Sequence, residues 1–215
     1  AGAGVGFLTA AFVEEVCRRD LRPARISVVA FEVDATLITP LQETLRACHE
    51  LCGRVGISFE ADVRHEDFIS TAAKALRGDL FASPLPPFDC AILNPPYRKI
   101  TTDSDERRQL RSAGIETSNL YTAFLALVAG LLQPNGELVA ITPRSFCNGT
   151  YFRSFRRSFL STMALQEVCV FESRDHAFRD DAVLQETVIF RAVKGAKPDR
   201  VTITSSTGPD TDDHQ

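Results

Sequence analysis

Apolar positions recur at helical spacing from Phe7 to Cys17, and after a charged stretch comes the β-branched run Ile26-Ser27-Val28-Val29-Ala30-Phe31-Glu32-Val33-Asp34, which predicts a strand ending in an acid. Helical spacing resumes from Leu41 to Cys52, with Pro40 suited to a first turn and Gly53 and Gly56 to the end. Ile57 to Ala61 predicts a short strand, Ser70 to Leu76 a short helix, and Pro84, Pro86 and Pro87 a loop. Phe88-Asp89-Cys90-Ala91-Ile92-Leu93 is an apolar run that must stop at Asn94, because the two prolines that follow cannot donate to a sheet ladder. Asn119 to Leu132 predicts a strongly apolar helix closed by a turn at Gln133-Pro134-Asn135-Gly136, and Glu137 to Pro143 the next strand. Leu165 to Phe171 and Glu186 to Arg191 read as two further strands separated by a polar loop. Between these elements, Arg98 to Thr117 carries no apolar period and reads as a mobile polar loop. From Lys194 the chain turns polar and then acidic, the pattern of a linker or frayed end. One α/β domain over residues 1–193, followed by a polar tail over 194–215, is the organisation this pattern predicts.

Composition narrows the partners. A chain of 215 residues with 44% hydrophobic and 24% charged residues is sized for one α/β domain with a substantial core. It holds no apolar run of transmembrane length and no signal-peptide pattern, so the cytoplasm is the expected compartment and no membrane partner is expected. The six cysteines are scattered through apolar segments, which predicts buried free thiols and no metal site. A net charge of −4 excludes a whole-surface nucleic-acid binder and leaves room for a local basic rim.

Candidate chemistry lies at two places. Ala1-Gly2-Ala3-Gly4-Val5-Gly6 runs directly into the first helix, so that a ligand could approach its backbone and meet free N–H groups. Such a turn ordinarily follows a strand, and a preceding strand upstream of Ala1 is expected. Glu32, at the end of the next strand, is placed to accept from ribose hydroxyls, with Asp34 at the following turn or cap. The second place is Asn94-Pro95-Pro96-Tyr97, a rigid corner at the carboxyl end of a predicted strand, where open α/β sheets bind their ligands. The Asn94 side-chain oxygen and the Pro95 carbonyl are two acceptors that can take both hydrogens of a planar amino group. Tyr97 adds an aromatic face, worth roughly 1–3 kcal/mol against a nucleobase.

Asn94-Pro95-Pro96-Tyr97 resembles the catalytic motif of S-adenosylmethionine-dependent amino-methyltransferases, in the form typical of adenine-specific DNA methyltransferases of the gamma group, including the methylase part of fused restriction–modification proteins. The resemblance runs from the glycine turn to the final strands, with cofactor motifs before the catalytic motif. It implies a Rossmann-like class I methyltransferase fold: a mostly parallel seven-stranded sheet with a C-terminal antiparallel hairpin. The implied cofactor is S-adenosyl-L-methionine, held by Ala1, Gly2, Ala3, Gly4, Gly6, Glu32, Asp67, Phe68 and Asn94. Asp67-Phe68 resembles the family's pair beside the cofactor adenine, with Asp62 as the competing acid. The implied substrate is an adenine flipped out of double-stranded DNA and sandwiched by Tyr97 and Phe152, with no metal and with target recognition by a domain or subunit outside this chain. Arg98, Lys99, Arg144, Arg153, Arg156 and Arg157 would form the DNA rim, with Arg107, Arg108 and Arg111 also available to phosphates. A protein-glutamine methyltransferase, an RNA adenine methyltransferase, a nicotinamide-dependent oxidoreductase and an inactive DNA-binding module are the alternatives. The oxidoreductase reading would explain the glycine turn and Glu32 but leaves the Asn94–Tyr97 corner without a role.

Overall fold

The computed structural model describes residues 1–80, 82, 84–171, 187–197 and 200–206, arranged as two compact units, Ala1–Thr71 and Ala72–Gln215. Phe81, Ser83, the polar loop expected between the last two strands, Glu186 and the tail beyond Ser206 lie outside the described residues.

The first unit opens with the glycine turn and α1 (Phe7–Arg18), followed by β1 (Arg25–Phe31), α2 (Ala35–Arg54) and β2 (Ser58–Arg64). β1 and β2 pair in parallel, from Arg25 opposite Ser58 to Phe31 opposite Arg64. Leu41, Leu45, Cys48 and Cys52 of α2 recur at spacings of three and four and are buried against Val13, Val16 and Cys17 of α1 and Ile26, Ala30 and Phe59 of the strands. α2 starts before its predicted Leu41, since Asp34 caps it by accepting from the Thr36 N–H at 2.9 Å. Pro40 therefore lies inside the helix rather than in its first turn. β2 runs beyond the predicted Ala61, because Asp62, Val63 and Arg64 continue the ladder with Val29, Ala30 and Phe31.

α3 (Phe68–Leu76) carries the boundary between the units. The second unit contains β3 (Phe88–Leu93), α4 (Asp105–Ser112), α5 (Leu120–Leu131), β4 (Leu132–Pro143), a 3₁₀ turn at Arg144–Cys147, α6 (Arg153–Thr162), β5 (Met163–Phe171), β6 (Thr187–Lys194) and β7 (Thr202–Ser206). Its strands form one sheet in the order β3-β4-β6-β5-β7. The sheet is mixed rather than mostly parallel: β3–β4 and β5–β7 are parallel, but β6 lies between β4 and β5 and is antiparallel to both. α5 is apolar almost all round and correspondingly buried from Leu120 to Ala129, apart from a half-buried Ala126. The turn at Gln133–Gly136 is an outward bulge in β4, where the register passes from Phe88 opposite Leu132 to Cys90 opposite Glu137 and Asn135 takes φ 66°.

Two stretches expected to lack structure have it. Within Arg98–Thr117, Ser104 caps α4 by accepting from the Arg107 N–H, Asp105 and Glu106 occupy the first turn, and Leu110 is fully buried. A helix with one buried apolar anchor leaves little periodicity to read. Within the expected tail, Thr202–Ser206 pairs with Glu167–Phe171 as β7. The cysteines also divide: Cys17, Cys48 and Cys52 are buried in the first unit, whereas Cys90 and Cys147 are exposed and Cys169 is half-buried, all as free thiols.

Candidate functional site

In the first unit, the turn before α1 is built on left-handed backbone. Gly2, Gly4 and Gly6 take φ of 63°, 57° and 89°, a region that costs other residues roughly 1–2 kcal/mol each. The Ala3 N–H donates to the Phe31 carbonyl at 2.8 Å, which hangs the turn from the end of β1. At Gly6 a Cβ would meet Leu41 Cδ1 at 3.0 Å and Thr44 Cγ2 at 3.1 Å, whereas at Gly4 it would meet nothing within 4 Å. The turn is thus closed on its α2 side and open at Gly4. Gly6 at the N-cap has no side chain to cap α1, so among the described residues the first-turn N–H groups have no side-chain cap and suit a ligand or water.

Glu32 is buried at 7% exposure, and its carboxylate ties this arrangement together. Oε2 accepts from the Gly4 N–H at 2.7 Å, and Oε1 accepts from the N–H groups of Val33 at 2.8 Å and Asp34 at 2.9 Å. A carboxylate offers about four acceptor positions, so one remains for a further donor. Glu32 therefore fastens the glycine turn to the strand end as well as carrying a buried negative charge beside it.

Asp67 caps α3, accepting from the Ser70 N–H at 2.7 Å through Oδ1, and its Oδ2 has no partner among the described residues. Asp62 is engaged by Arg64 Nε at 2.8 Å. Phe68 is buried and stands edge-to-face on Phe31 at 5.3 Å, with the Arg64 guanidinium 5.7 Å from the Phe31 ring. Phe68 thus supports the strand end and offers little free ring surface for covering an adenine.

In the second unit, β3 stops at Leu93 and delivers Asn94 and Tyr97 to the surface, with Pro95 buried between them. The Tyr97 hydroxyl donates at 2.8 Å to Asn94 Oδ1 and has a second acceptor, the Ile141 carbonyl of β4, at 3.2 Å. Partial burial raises the Tyr97 pKa, so the phenol remains a donor at neutral pH. The acceptor expected to meet a target amine is therefore formed and already holds a hydrogen-bond donor.

Tyr97 and Phe152 do not face each other directly. Both contact Tyr121 of α5, Tyr97 edge-to-face at 6.3 Å and Phe152 tilted at 5.5 Å. Tyr121 is 2% exposed, shares a hydrogen bond with Ser145 Oγ at 3.1 Å, and has its pKa pushed up to about 12, chiefly by burial. Phe152 is itself 7% exposed and has Tyr151 edge-on at 4.8 Å. The linking role of Tyr121 is not readable in the sequence, where its apolar helix looks like packing alone.

The expected basic rim divides in the same way. Arg156 points back into its own loop, donating to the carbonyls of Phe146 at 3.0 Å, Asn148 at 2.7 Å and Gly149 at 2.5 Å. It is a structural pin. Arg98 pairs with Glu106 at 3.6 Å, Arg107 and Arg111 with Glu116 at 3.1 and 2.9 Å, and Arg108 with Asp105. Lys99 is bridged through its backbone to Asn119, Arg144 is exposed at the 3₁₀ turn, and Arg153 and Arg157 are exposed on α6. Burial raises the Cys147 pKa despite the opposing influence of Arg144 and Arg156, which disfavours a thiolate nucleophile there. Among the described residues no group of three His, Cys, Asp or Glu could hold a metal ion, and no helix is long and apolar enough to cross a membrane.

Residues 62–178 match the Eco57I restriction-modification methylase family. The chain is 44% identical over 209 residues to the type II methyltransferase M.BsuBI of Bacillus subtilis, a match covering 96% of this chain and 40% of that protein. It thus spans about two fifths of that relative's length. Its fold is similar to that of a protein assigned as a modification subunit of a type I restriction enzyme from Vibrio vulnificus, with a TM-score of 0.69 and 14% identity over 97% of this chain and 42% of the other. It is also similar to a protein assigned as a class I S-adenosylmethionine-dependent methyltransferase from Listeria monocytogenes, with a TM-score of 0.57 and 15% identity over 95% of this chain and 65% of the other.

Proposed function

This chain belongs to the Eco57I restriction-modification methylase family, and from that membership we propose that the whole protein methylates the 6-amino group of an adenine extruded from double-stranded DNA, with S-adenosylmethionine as the methyl donor. The M.BsuBI relative is named as a type II methyltransferase, which supports DNA as the substrate and restriction–modification as the setting. The reading includes a cytoplasmic location and a target-recognition domain or subunit beyond this chain that would read the sequence. The antiparallel β5–β6 pair supports the class I reading of a seven-stranded sheet ending in such a pair.

One observation carries the reading: Asn94 Oδ1, at the carboxyl end of β3, accepts from a hydroxyl at 2.8 Å beside a second carbonyl acceptor. A target amine replacing the Tyr97 hydroxyl would donate one hydrogen to Asn94 Oδ1 and the other to the Pro95 carbonyl. With both hydrogens engaged, the nitrogen lone pair is less conjugated with the ring and better aligned for attack. The Tyr97 hydroxyl keeps the Ile141 carbonyl as its partner, which holds the phenol ring in place to stack on the base. Positioning of this kind is the main contribution open to the protein.

The first unit suits the cofactor in part. An uncapped helix start, a turn open at Gly4 and the remaining acceptor position of Glu32 fit a ligand with a carboxylate and ribose hydroxyls, and Asp67 Oδ2 fits an amino donor. When bound, S-adenosylmethionine supplies a methyl group already activated on sulfonium. The placement of Phe68 favours support of Phe31 over a ring-covering role.

In the full-length protein Asn94→Ala should abolish methyl transfer to DNA while leaving DNA and cofactor affinity within about twofold, the pattern of an interaction made in the transition state. Labelled S-adenosylmethionine offered with DNA, RNA or release factor in parallel identifies the acceptor. Near-normal adenine methylation by Asn94→Ala would overturn the assignment of this corner.

A further inference from the structure

Thr150, Tyr151, Arg153, Ser154 and Arg157 line a pocket of about 460 Å³ at the start of α6. Arg153 and Arg157 are one helical turn apart and rise from one face of the helix. Among the described residues neither has an acidic partner, in contrast to Arg98, Arg107, Arg108 and Arg111, and neither is spent on carbonyls as Arg156 is. The lining holds two cations and three hydroxyl-bearing side chains and no acid, a donor-rich set suited to an anion. Tyr151 adds a ring that is 61% exposed yet held: it stands edge-on to Phe152 at 4.8 Å, and its hydroxyl is hydrogen-bonded with Ser118 Oγ at 2.6 Å.

Two guanidinium groups beside a fixed, uncovered aromatic face match a phosphate joined to a planar ring. We propose that this pocket seats one nucleotide of the bound DNA strand, its phosphate between Arg153 and Arg157 and its base or sugar against Tyr151. The inference rests on the DNA-methylation reading and deepens it, since it replaces a diffuse basic rim by a defined seat. Its place in the fold supports a strand continuing from the catalytic corner. Ser118, which holds Tyr151, accepts the Ile100 N–H at its carbonyl at 2.8 Å, and the next residue, Asn119, is bridged to Lys99. The Tyr151 wall is thereby joined to the segment that leads directly out of Asn94–Tyr97. Tyr151 is distinct from Phe152, whose ring is covered by its neighbours.

The test uses the full-length protein and a short random-sequence duplex, with affinity followed as salt is raised. Arg153→Gln/Arg157→Gln should weaken binding at low salt by about tenfold and reduce the magnitude of the log-affinity against log-salt slope by about 0.9, the signature of one lost phosphate contact. Arg153→Lys/Arg157→Lys keeps the charges and should restore the slope. Tyr151→Ala should weaken binding by about tenfold, and Tyr151→Phe, which keeps the ring, should retain most of the affinity. S-adenosylmethionine affinity should be unchanged throughout, which separates loss of the seat from loss of the fold. Unaltered slope and affinity in the double Gln variant, with the wild type still methylating DNA, overturn the seat and leave the methylation reading standing. A wild type that neither binds nor methylates DNA, or that prefers RNA, overturns both.

Discussion

Removal of the Glu32 carboxylate should release the glycine turn before it does anything else. In Glu32→Ala the N–H groups of Gly4, Val33 and Asp34 lose the acceptor that now holds them at 2.7, 2.8 and 2.9 Å. Hydrogen bonds to a charged group contribute about 1.5–3 kcal/mol each, which corresponds to about a ten- to hundredfold rise in local opening per amide. Water reaches this strand end once the side chain is gone, so the three contributions will not add, and a total of about 2–4 kcal/mol is expected. Hydrogen exchange at Gly4, Val33 and Asp34 measures this directly. Amides of the β1–β2 ladder, such as those opposite Ile26 and Phe59, should change far less. Glu32→Gln separates charge from shape: an amide oxygen can still accept from Val33 and Asp34, but its NH₂ then confronts the Gly4 N–H, so Gly4 alone should lose protection strongly. In the full-length protein the same Ala variant should weaken S-adenosylmethionine binding more than tenfold, because the turn proposed to receive it is no longer preformed. Unchanged exchange at Gly4 would refute the fastening role, and unchanged calorimetric affinity would remove Glu32 from the cofactor site.

Arg156→Ala should destabilise the Phe146–Gly149 loop, by about 2 kcal/mol after allowance for its partial exposure, and expose that loop to limited proteolysis; Arg157→Ala should not. Gly6→Ala places a side chain at φ 89° and 3.0 Å from Leu41 Cδ1, so a loss of about 1–3 kcal/mol in urea unfolding is expected, with weaker cofactor binding. Tyr121 holds its proton to about pH 12, above the ordinary phenol value, because burial disfavours the phenolate. Its contribution to stability is therefore complete below about pH 10 and lost between about pH 10 and 12 as the unfolded chain ionises first. Absorbance at 295 nm should show this late titration, and Tyr121→Phe should abolish it and flatten the alkaline fall in stability.

What the sequence determined by itself was local. Helical and strand periods placed α1, β1, β3 and α5, glycine in series marked the left-handed turn, and two consecutive prolines after Asn94 required β3 to stop there, at Leu93 in the structure, because each of these depends only on a residue's neighbours along the chain. The same locality explains the Asp34 cap and the resemblance carried by Asn94–Tyr97. It also explains what was hidden: α4 has a single buried anchor, Leu110, and so no period to detect, and β7 lies in a polar stretch that becomes a strand by pairing with β5. Tertiary structure alone decided matters that join distant residues. Insertion of β6 between β4 and β5 made the sheet mixed. Folding set Tyr121 against both Tyr97 and Phe152, and supplied the Tyr97 hydroxyl with the Ile141 carbonyl. It also sorted chemically identical arginines by what surrounds them, turning Arg156 inward onto three carbonyls while Arg153 and Arg157 on the same helix face a pocket. A guanidinium is the same donor set at every position, and only the three-dimensional placement of acceptors determines whether it stabilises the fold or is left for a ligand.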